Sequence, residues 1–417
     1  MDTDSDPKSR GPHLWDSPPD NPVQVAEAEL SPRLSDRAAN WASTMSGHQG
    51  KGAIRFAHAD QRIGTEPARR LDREAREKIE RHTLTGGATL ALGAGHRVTP
   101  EEPDDMRTCF ERDRDRILHS TAFRRLAGKT QVFVFPEDHQ RTRLTHALEV
   151  AQVAVAVARA SRLNVALTEA IALAHDCGHG PGGHASEDAL TPFLPEGFDH
   201  ALWGADVVLT SLNLTREVLD GVRNHSWSRP APSTPEGEVV SWADRCAYSA
   251  HDLEDAVSAG IVSTKHLPAL VVDGCGSRRS EQLRTFIGGL VETISTTGQV
   301  GMDSGLADAL AGLRQFNYEH IYLRESSRQQ ADAVISVLRA LVEYYAEHPH
   351  LLPDVPVTEI SGSMISESLR AEVGSQDAVR AAVTYVGGMT DRYACQMAVT
   401  HLGWDPDQLP KGVGTER

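Results

Sequence analysis

No run in this 417-residue sequence approaches the about 20 apolar residues that a membrane-crossing helix needs, so no span is expected. Cysteine is sparse. The five present, at 109, 177, 246, 275 and 395, are odd in number and include no CxxC pair, which excludes an evident disulfide framework or thiolate zinc site and favours a reducing, cytoplasmic setting. Basic side chains are in deficit: 42 Lys and Arg stand against 58 Asp and Glu, a formal net charge of -16, which argues against general adhesion to nucleic acid or an anionic membrane. Local basic pockets remain compatible with that balance. The opening "MDTDSDPKSRGPHLWDSPPD" lacks the basic and then apolar layout of a signal peptide, so export is not expected, and no internal repeat is found.

What the chain does contain is 40% hydrophobic residues, enough for one large domain or two ordinary ones. Residues 1–50 are rich in Pro, Ser and Asp and read as a mobile arm. Residues 51–105 read as a charged helix and a linker broken by glycine and proline, 106–402 as a mostly helical core, and 403–417 as a tail. Helical spacing places Leu144, Leu148, Ala151 and Val155 on one stripe, and "ALTEAIALAHD" is followed by Gly178 where a helix-closing glycine belongs. One β signal, "QVFVF" at 131–135, looks like half of a hairpin. The expected fold is an all-α bundle with a short β-hairpin and a disordered N-terminal arm.

The chemistry concentrates in "IALAHDCGHGPGGHASEDAL", residues 171–190. Neighbours on a helix point about 100° apart, so His175 and Asp176 meet on one ion only near a helix end. Alone, an HD dipeptide is a weak signal. Separate helical segments offer His146 and Asp244 as further ligands, and two imidazoles with two carboxylates suit Mn, Fe, Zn, Co or Ni better than Mg alone. Against this, a lone helical histidine is commonly a satisfied core residue, and an acidic stripe is commonly a solvated face. The stripe here runs Asp244, Tyr248, Asp252 and Asp255, flanked by Ala243, Ala247, Ala250 and Leu253, a pattern that favours a cleft.

The glycines of "GHGPGGHASE" let backbone approach an ion or phosphate and present His179 and His184. His184 and Glu187, three residues apart, read as a proton-transfer pair. Upstream, Arg124, Arg125, Lys129, Arg141 and Arg143 form a local basic cluster. Ordinary surface pairing with Glu137 and Asp138 is the alternative, but Arg143, one turn before His146, favours a phosphate cradle.

In order, "ERDRDRILHSTAFRRLAGKTQVF", "RTRLTHALEVAQVA", "ALAHDCGHGPGGHASE", "SLNLTREVLDGVRNHS", "PEGEVVSWADRCAYSAHDLEDA" and "GGMTDRYA" resemble the deoxyguanosine triphosphate triphosphohydrolase-like proteins of the HD-domain phosphohydrolase superfamily. The likeness runs from Phe110 to Ala398. It implies a helical HD domain holding one divalent metal ion (Mn, Mg, Fe, Zn, Co or Ni) through His146, His175, Asp176 and Asp244. It also implies hydrolysis of deoxynucleoside triphosphates to deoxynucleoside and inorganic triphosphate. By match to the family motifs, His184 is the catalytic histidine, Glu187 its partner and His200 a further active-site histidine, while Arg143, Lys129, Tyr248 and Asp252 lie along the nucleotide. A homo-oligomer and a nucleotide activator are further implications. Competing readings are an HD-type phosphohydrolase of nucleoside monophosphates or other phosphate esters, and a nucleotide-binding regulator without turnover. Relatives commonly read "GHTPFGHAGE" at the loop, so Gly180, Gly182 and Ser186 predict a looser one. Ala201, Trp203 and Asp206 replace the Asn, Gln and Arg usual after His200, and the aspartate is expected to repel substrate.

Overall fold

The computed structural model describes residues 32–137, 139–353 and 371–411. Two compact units are present, residues 1–70 and 71–417. In the first, the arm expected over 1–50 is helical at Pro32–Thr44, and His48–Gln49 pairs antiparallel with Arg55–Phe56; residues 1–31 lie outside the described set. Gly47 takes the left-handed conformation that lets the chain turn out of that helix into the strand.

The second unit is all-α. The described residues contain 16 α-helices in total and a single two-stranded sheet, the one in the first unit. Local sequence accounts for several boundaries. Thr108 and Glu111 form a reciprocal capping box that starts Cys109–His119. Asn164 accepts from the Leu167 N–H (3.2 Å) and opens Val165–Ala174. Thr234 caps Pro235–Ser258, whose 24 residues span about 36 Å at about 1.5 Å per residue. That long helix forms the spine of the unit.

One of its faces packs on Arg143–Ala160 and Val165–Ala174, burying Val150, Ala154, Val157, Leu167, Ile171, Val239 and Ala243 in the main core. Another meets Arg279–Thr297 and Ser304–Asn317 around Leu253, Phe286 and Leu313, and Ala269–Cys275 packs on those two helices in the same cluster. A third cluster joins the C-terminal helices Glu325–Glu347, Gln376–Gly387 and Asp391–Leu402 to the short helix His184–Leu190 through Leu190, Val337, Leu341 and Val386. Burial at about 25 cal/mol per Å² of apolar surface drives all three.

Two local expectations change. "QVFVF" forms no strand: the only pairing there is an isolated bridge between Thr130 and Thr142, and Phe135 turns left-handed (φ 51°) before Pro136. With no partner strand alongside, its apolar residues instead wall a cleft. Gly178 is needed for close approach rather than as a left-handed cap. A Cβ there would fall 2.0 Å from the His200 carbonyl oxygen and 2.4 Å from the Gly204 nitrogen, both backbone atoms. Gly178→Ala is therefore expected to cost about 3 kcal/mol or more, lowering the melting temperature followed by circular dichroism.

Candidate metal centre and catalytic cleft

Three helical segments converge on the HD residues. The first turn of Arg143–Ala160 carries Arg143 and His146, the end of Val165–Ala174 delivers His175 and Asp176, and the middle of Pro235–Ser258 presents Asp244. His146 Nε2 lies 3.0 Å from Asp244 Oδ1 and 3.8 Å from Asp176 Oδ2. His175 Nε2 lies 3.5 Å from Asp176 Oδ1 and 3.6 Å from Asp244 Oδ1. Ligands bonded at about 2.1 Å to one ion are about 3.0 Å apart when adjacent and about 4.2 Å when opposite; His146, His175 and Asp244 group compactly enough for this, whereas Asp176 meets His146 through Oδ2 and His175 through Oδ1 and groups instead with His175 and His225.

The donor chemistry agrees. His175 Nδ1 donates to the Ala172 carbonyl (2.7 Å), orienting the ring, while its buried Nε2 has no hydrogen-bond partner and points between the two carboxylates. Burial alone would raise Asp244, but its hydrogen bond with His146 and the nearby charges of His175 and His146 hold it well below the ordinary carboxylate range. Asp176 is likewise buried yet held well below that range by the charges of His175, Arg143 and His179. His175 shows the reciprocal effect: burial would lower it, but Asp176 and Asp244 push it up to about 9. These residues can hold a divalent cation.

Arg143 Nη1 donates to Asp176 Oδ2 (2.8 Å), whereas its Nε and Nη2 are buried without a partner. A buried, unsatisfied guanidinium edge costs free energy unless an anion completes it. Arg143 lines a cleft of about 840 Å³ that also takes in His146, Asp176, His179, His184, His200, Asp244, Tyr248 and Asp252, with its Nη2 close to Gly183. Asp252 accepts from the Tyr322 hydroxyl (2.5 Å), and burial raises its carboxyl to about 7.

The histidines downstream form a stacked group. Glu187 Oε1 accepts from the backbone N–H (3.0 Å) and the ring Nδ1 (2.6 Å) of His200, and Glu187 Oε2 lies 3.4 Å from His184 Nδ1. Burial would raise Glu187, but the bonds from His184 and His200 hold it well below its usual range. The His179 ring stacks on His200 at 3.7 Å. The side chain of His184 is 75% exposed and open to the cleft.

Comparison with known proteins bears on this centre. The HD domain family matches residues 143–249, and the Phosphohydrolase-associated domain matches residues 300–399. A "Deoxyguanosinetriphosphate triphosphohydrolase-like protein" of Caldanaerobacter subterraneus subsp. tengcongensis is 39% identical over 330 residues, covering 77% of this chain and 93% of that protein. The chain belongs to this family. Other triphosphohydrolase-like members, from Clostridium perfringens strain 13 and Desulfatibacillum aliphaticivorans, are 39% and 40% identical, covering 77% and 65% of this chain and 94% and 83% of their own lengths. As a member of the triphosphohydrolase-like family with an HD domain, the chain is a metal-dependent phosphohydrolase.

Against the family pattern, several sequence expectations change. Lys129 does not line the cleft; its buried ammonium, brought down to about 8 by burial, donates to the carbonyls of His179 and Gly387. Asp255 turns away to Arg141, which also pairs with Glu149 and Glu254, so neither faces the cleft. The loop is stitched rather than loosened. Ser186 Oγ accepts from the Gly180 N–H (3.0 Å) and donates to the Gly183 carbonyl (2.6 Å), and a Cβ at position 180 would strike the Ser186 Cβ at 2.7 Å, so glycine and serine accommodate one another.

Asp206 pairs with Arg223 outside the cleft, and Ala201 and Trp203 are buried, the tryptophan beside Phe198; none of the three lines the cleft. The expected repulsion of substrate by Asp206 thus loses its geometric basis.

Cleft residues that sequence reasoning missed include His225, Trp227, Arg245, Arg314 and Tyr322. His225 Nδ1 donates to the Val222 carbonyl (2.8 Å), leaving Nε2 against His200 Nε2 at 3.2 Å. The Arg245 guanidinium lies 3.5 Å over the Trp227 ring. Arg245 directly follows Asp244 on the spine helix, a signal that could have pointed to it, whereas Tyr322 carries no such local mark.

Proposed function

We propose that the cleft hydrolyses deoxynucleoside triphosphates, dGTP foremost, to deoxynucleoside and inorganic triphosphate. The observation that carries this reading is the buried, unpartnered edge of Arg143 beside the four-residue HD set, an arrangement suited to a phosphate oxygen. His146, His175, Asp176 and Asp244 would hold one divalent ion, Mn, Mg, Fe, Zn, Co or Ni, which when bound supplies Lewis acidity and lowers the pKa of water.

The chain's own groups then divide the remaining work. Arg143 binds and orients the phosphate through Nε and Nη2. His184 holds the proton delivered to the departing 5′-oxygen as the bond between that oxygen and the α-phosphorus breaks, and the water supplies the hydroxyl to the triphosphate. Glu187, an ionised carboxylate between His184 and His200, orients both rings. Tyr248 and Asp252 line the cleft, the latter held by Tyr322; in this reading the tyrosine would lie along the deoxyribose and exclude a 2′-hydroxyl, and the aspartate would face the sugar.

The family relatives are named for dGTP, which supports the substrate class. A homo-oligomer and an activating nucleotide accompany this reading. Among the described residues no helix is long and apolar enough to cross a membrane, and the formal net charge of -16 disfavours nucleic acid as a partner. All five cysteines are free, in keeping with a cytoplasmic setting.

The test is metal analysis of the purified protein together with chromatography of products from each deoxynucleoside triphosphate. The expected result is deoxynucleoside plus intact triphosphate, with one metal per chain. Release of orthophosphate or pyrophosphate would overturn the assignment. Hydrolysis of monophosphates alone would favour the broader phosphoesterase, and binding without turnover the regulator.

A further inference from the structure

The turn that presents His184 is held by residues far away in sequence. Gly182 and Gly183 are both left-handed, at φ 73° and 63°. They are confined on two sides: a Cβ on Gly182 would meet Val334 Cγ1 at 2.4 Å, and one on Gly183 would meet Arg143 Nη2 at 2.5 Å. The Gly182 N–H donates to Asp391 Oδ1 (2.8 Å), while Asp391 Oδ2 accepts from the Thr130 N–H (2.8 Å) and hydroxyl (2.5 Å). Lys129, next in the chain to Thr130, donates from Nζ to the carbonyl of His179 on the near side of the same loop and to Gly387 (3.1 Å). Asp391 and Lys129 are 6% and 4% exposed, so these bonds are sheltered from water.

We propose that Asp391, with Lys129, is a positioning residue for catalysis: it clamps the His179–His184 loop from the C-terminal region and thereby sets where the His184 ring stands. Asp391 does not line the cleft. Its influence passes through backbone. His184 has one side-chain partner, Glu187 at 3.4 Å, and an otherwise exposed ring, so its placement depends chiefly on the backbone from which it starts the helix His184–Leu190. A glycine-rich turn with one anchoring acceptor removed gains conformations that move the ring, and small misplacements of a proton-transfer group carry large rate penalties. Through Asp391, the region matching the Phosphohydrolase-associated domain thus reaches the loop that carries His184.

This rests on the reading of His184 as the proton donor, and the test separates the two. Asp391→Asn keeps the shape but turns one acceptor into a donor. With dGTP and Mn²⁺, we expect kcat to fall at least tenfold while KM and bound metal stay within twofold of wild type. Lys129→Met, which keeps the buried volume, is expected to lower kcat in the same way.

Val383→Ala, in the same C-terminal core, controls for general loosening and is expected to lower the melting temperature with kcat preserved at 25 °C. A folded Asp391→Asn protein with kcat within twofold of wild type, or one whose loss only tracks its unfolded fraction, overturns the proposal. Should that variant not fold, Thr130→Val, which removes one of the two Thr130 donors, decides by the same kcat criterion. Failure of the proton-donor reading is recognised separately, as retained turnover in His184→Ala.

Discussion

Alanine at His146 or at Asp244 is expected to abolish both stoichiometric metal and turnover in an otherwise folded chain. The four HD side chains supply every protein ligand in the proposed set, and the pair His146 and Asp244 closes one side of it at 3.0 Å. Removing either leaves three ligands. The loss of metal also removes the lowering of water's pKa from about 15.7 toward about 7, so activity should fall by several orders of magnitude. Metal analysis by mass spectrometry and a turnover assay on the same preparation check this. A variant with full activity and no stoichiometric metal would contradict it.

The same centre has a pH signature. In the ion-free site burial lowers His175 but Asp176 and Asp244 push it up to about 9, so below that pH its ring is protonated and binding a cation must expel a proton. Apparent Mn²⁺ affinity should therefore rise with pH up to about 9 and weaken on acidification by as much as about tenfold per unit. Calorimetric titrations in buffers of different ionisation enthalpy would count the released proton. A pH-independent affinity between 6 and 9 would sink the account.

Much of this centre was legible because its information is local. His175 and Asp176 close an apolar helix, and His146 and Asp244 sit among apolar and small neighbours, a pattern that favours a cleft over a solvated face. The all-α class followed from the same periodicity. What periodicity does not convey is which neighbouring element claims a charged side chain. Asp255 shares a stripe with Asp244, yet Arg141 captures it; Lys129 looks like a phosphate ligand, yet two backbone carbonyls take its ammonium.

The β signal at 131–135 failed for a related reason. A strand needs a partner, and this chain offers only the single bridge to Thr142. The loop substitutions were misread because each was weighed alone. Gly180 and Ser186 accommodate each other across the turn, a coupling visible only once both are placed in space.

His184→Ala should behave in the opposite way to the ligand variants: metal retained, turnover lowered about 100- to 10,000-fold, the usual worth of general acid–base catalysis. The distinction matters because side chains in two places are compact enough to grip an ion. The first holds two sets that share His175, namely His146, His175 and Asp244, and His175, Asp176 and His225; the second holds His179, His184, Glu187 and His200. The second is the poorer cage. His179 and His200 stack face to face at 3.7 Å with their rings 14° from parallel, so their in-plane lone pairs run side by side instead of converging, and His184 is largely in solvent. Its carboxylate is already engaged, with Glu187 Oε1 accepting twice from His200. Glu187→Gln, which keeps the shape but removes the charge that both rings face, is expected to share the phenotype of His184→Ala. If either variant lost its metal, the ion would belong with the stacked histidines and the division of labour between cation and proton donor would have to be reversed.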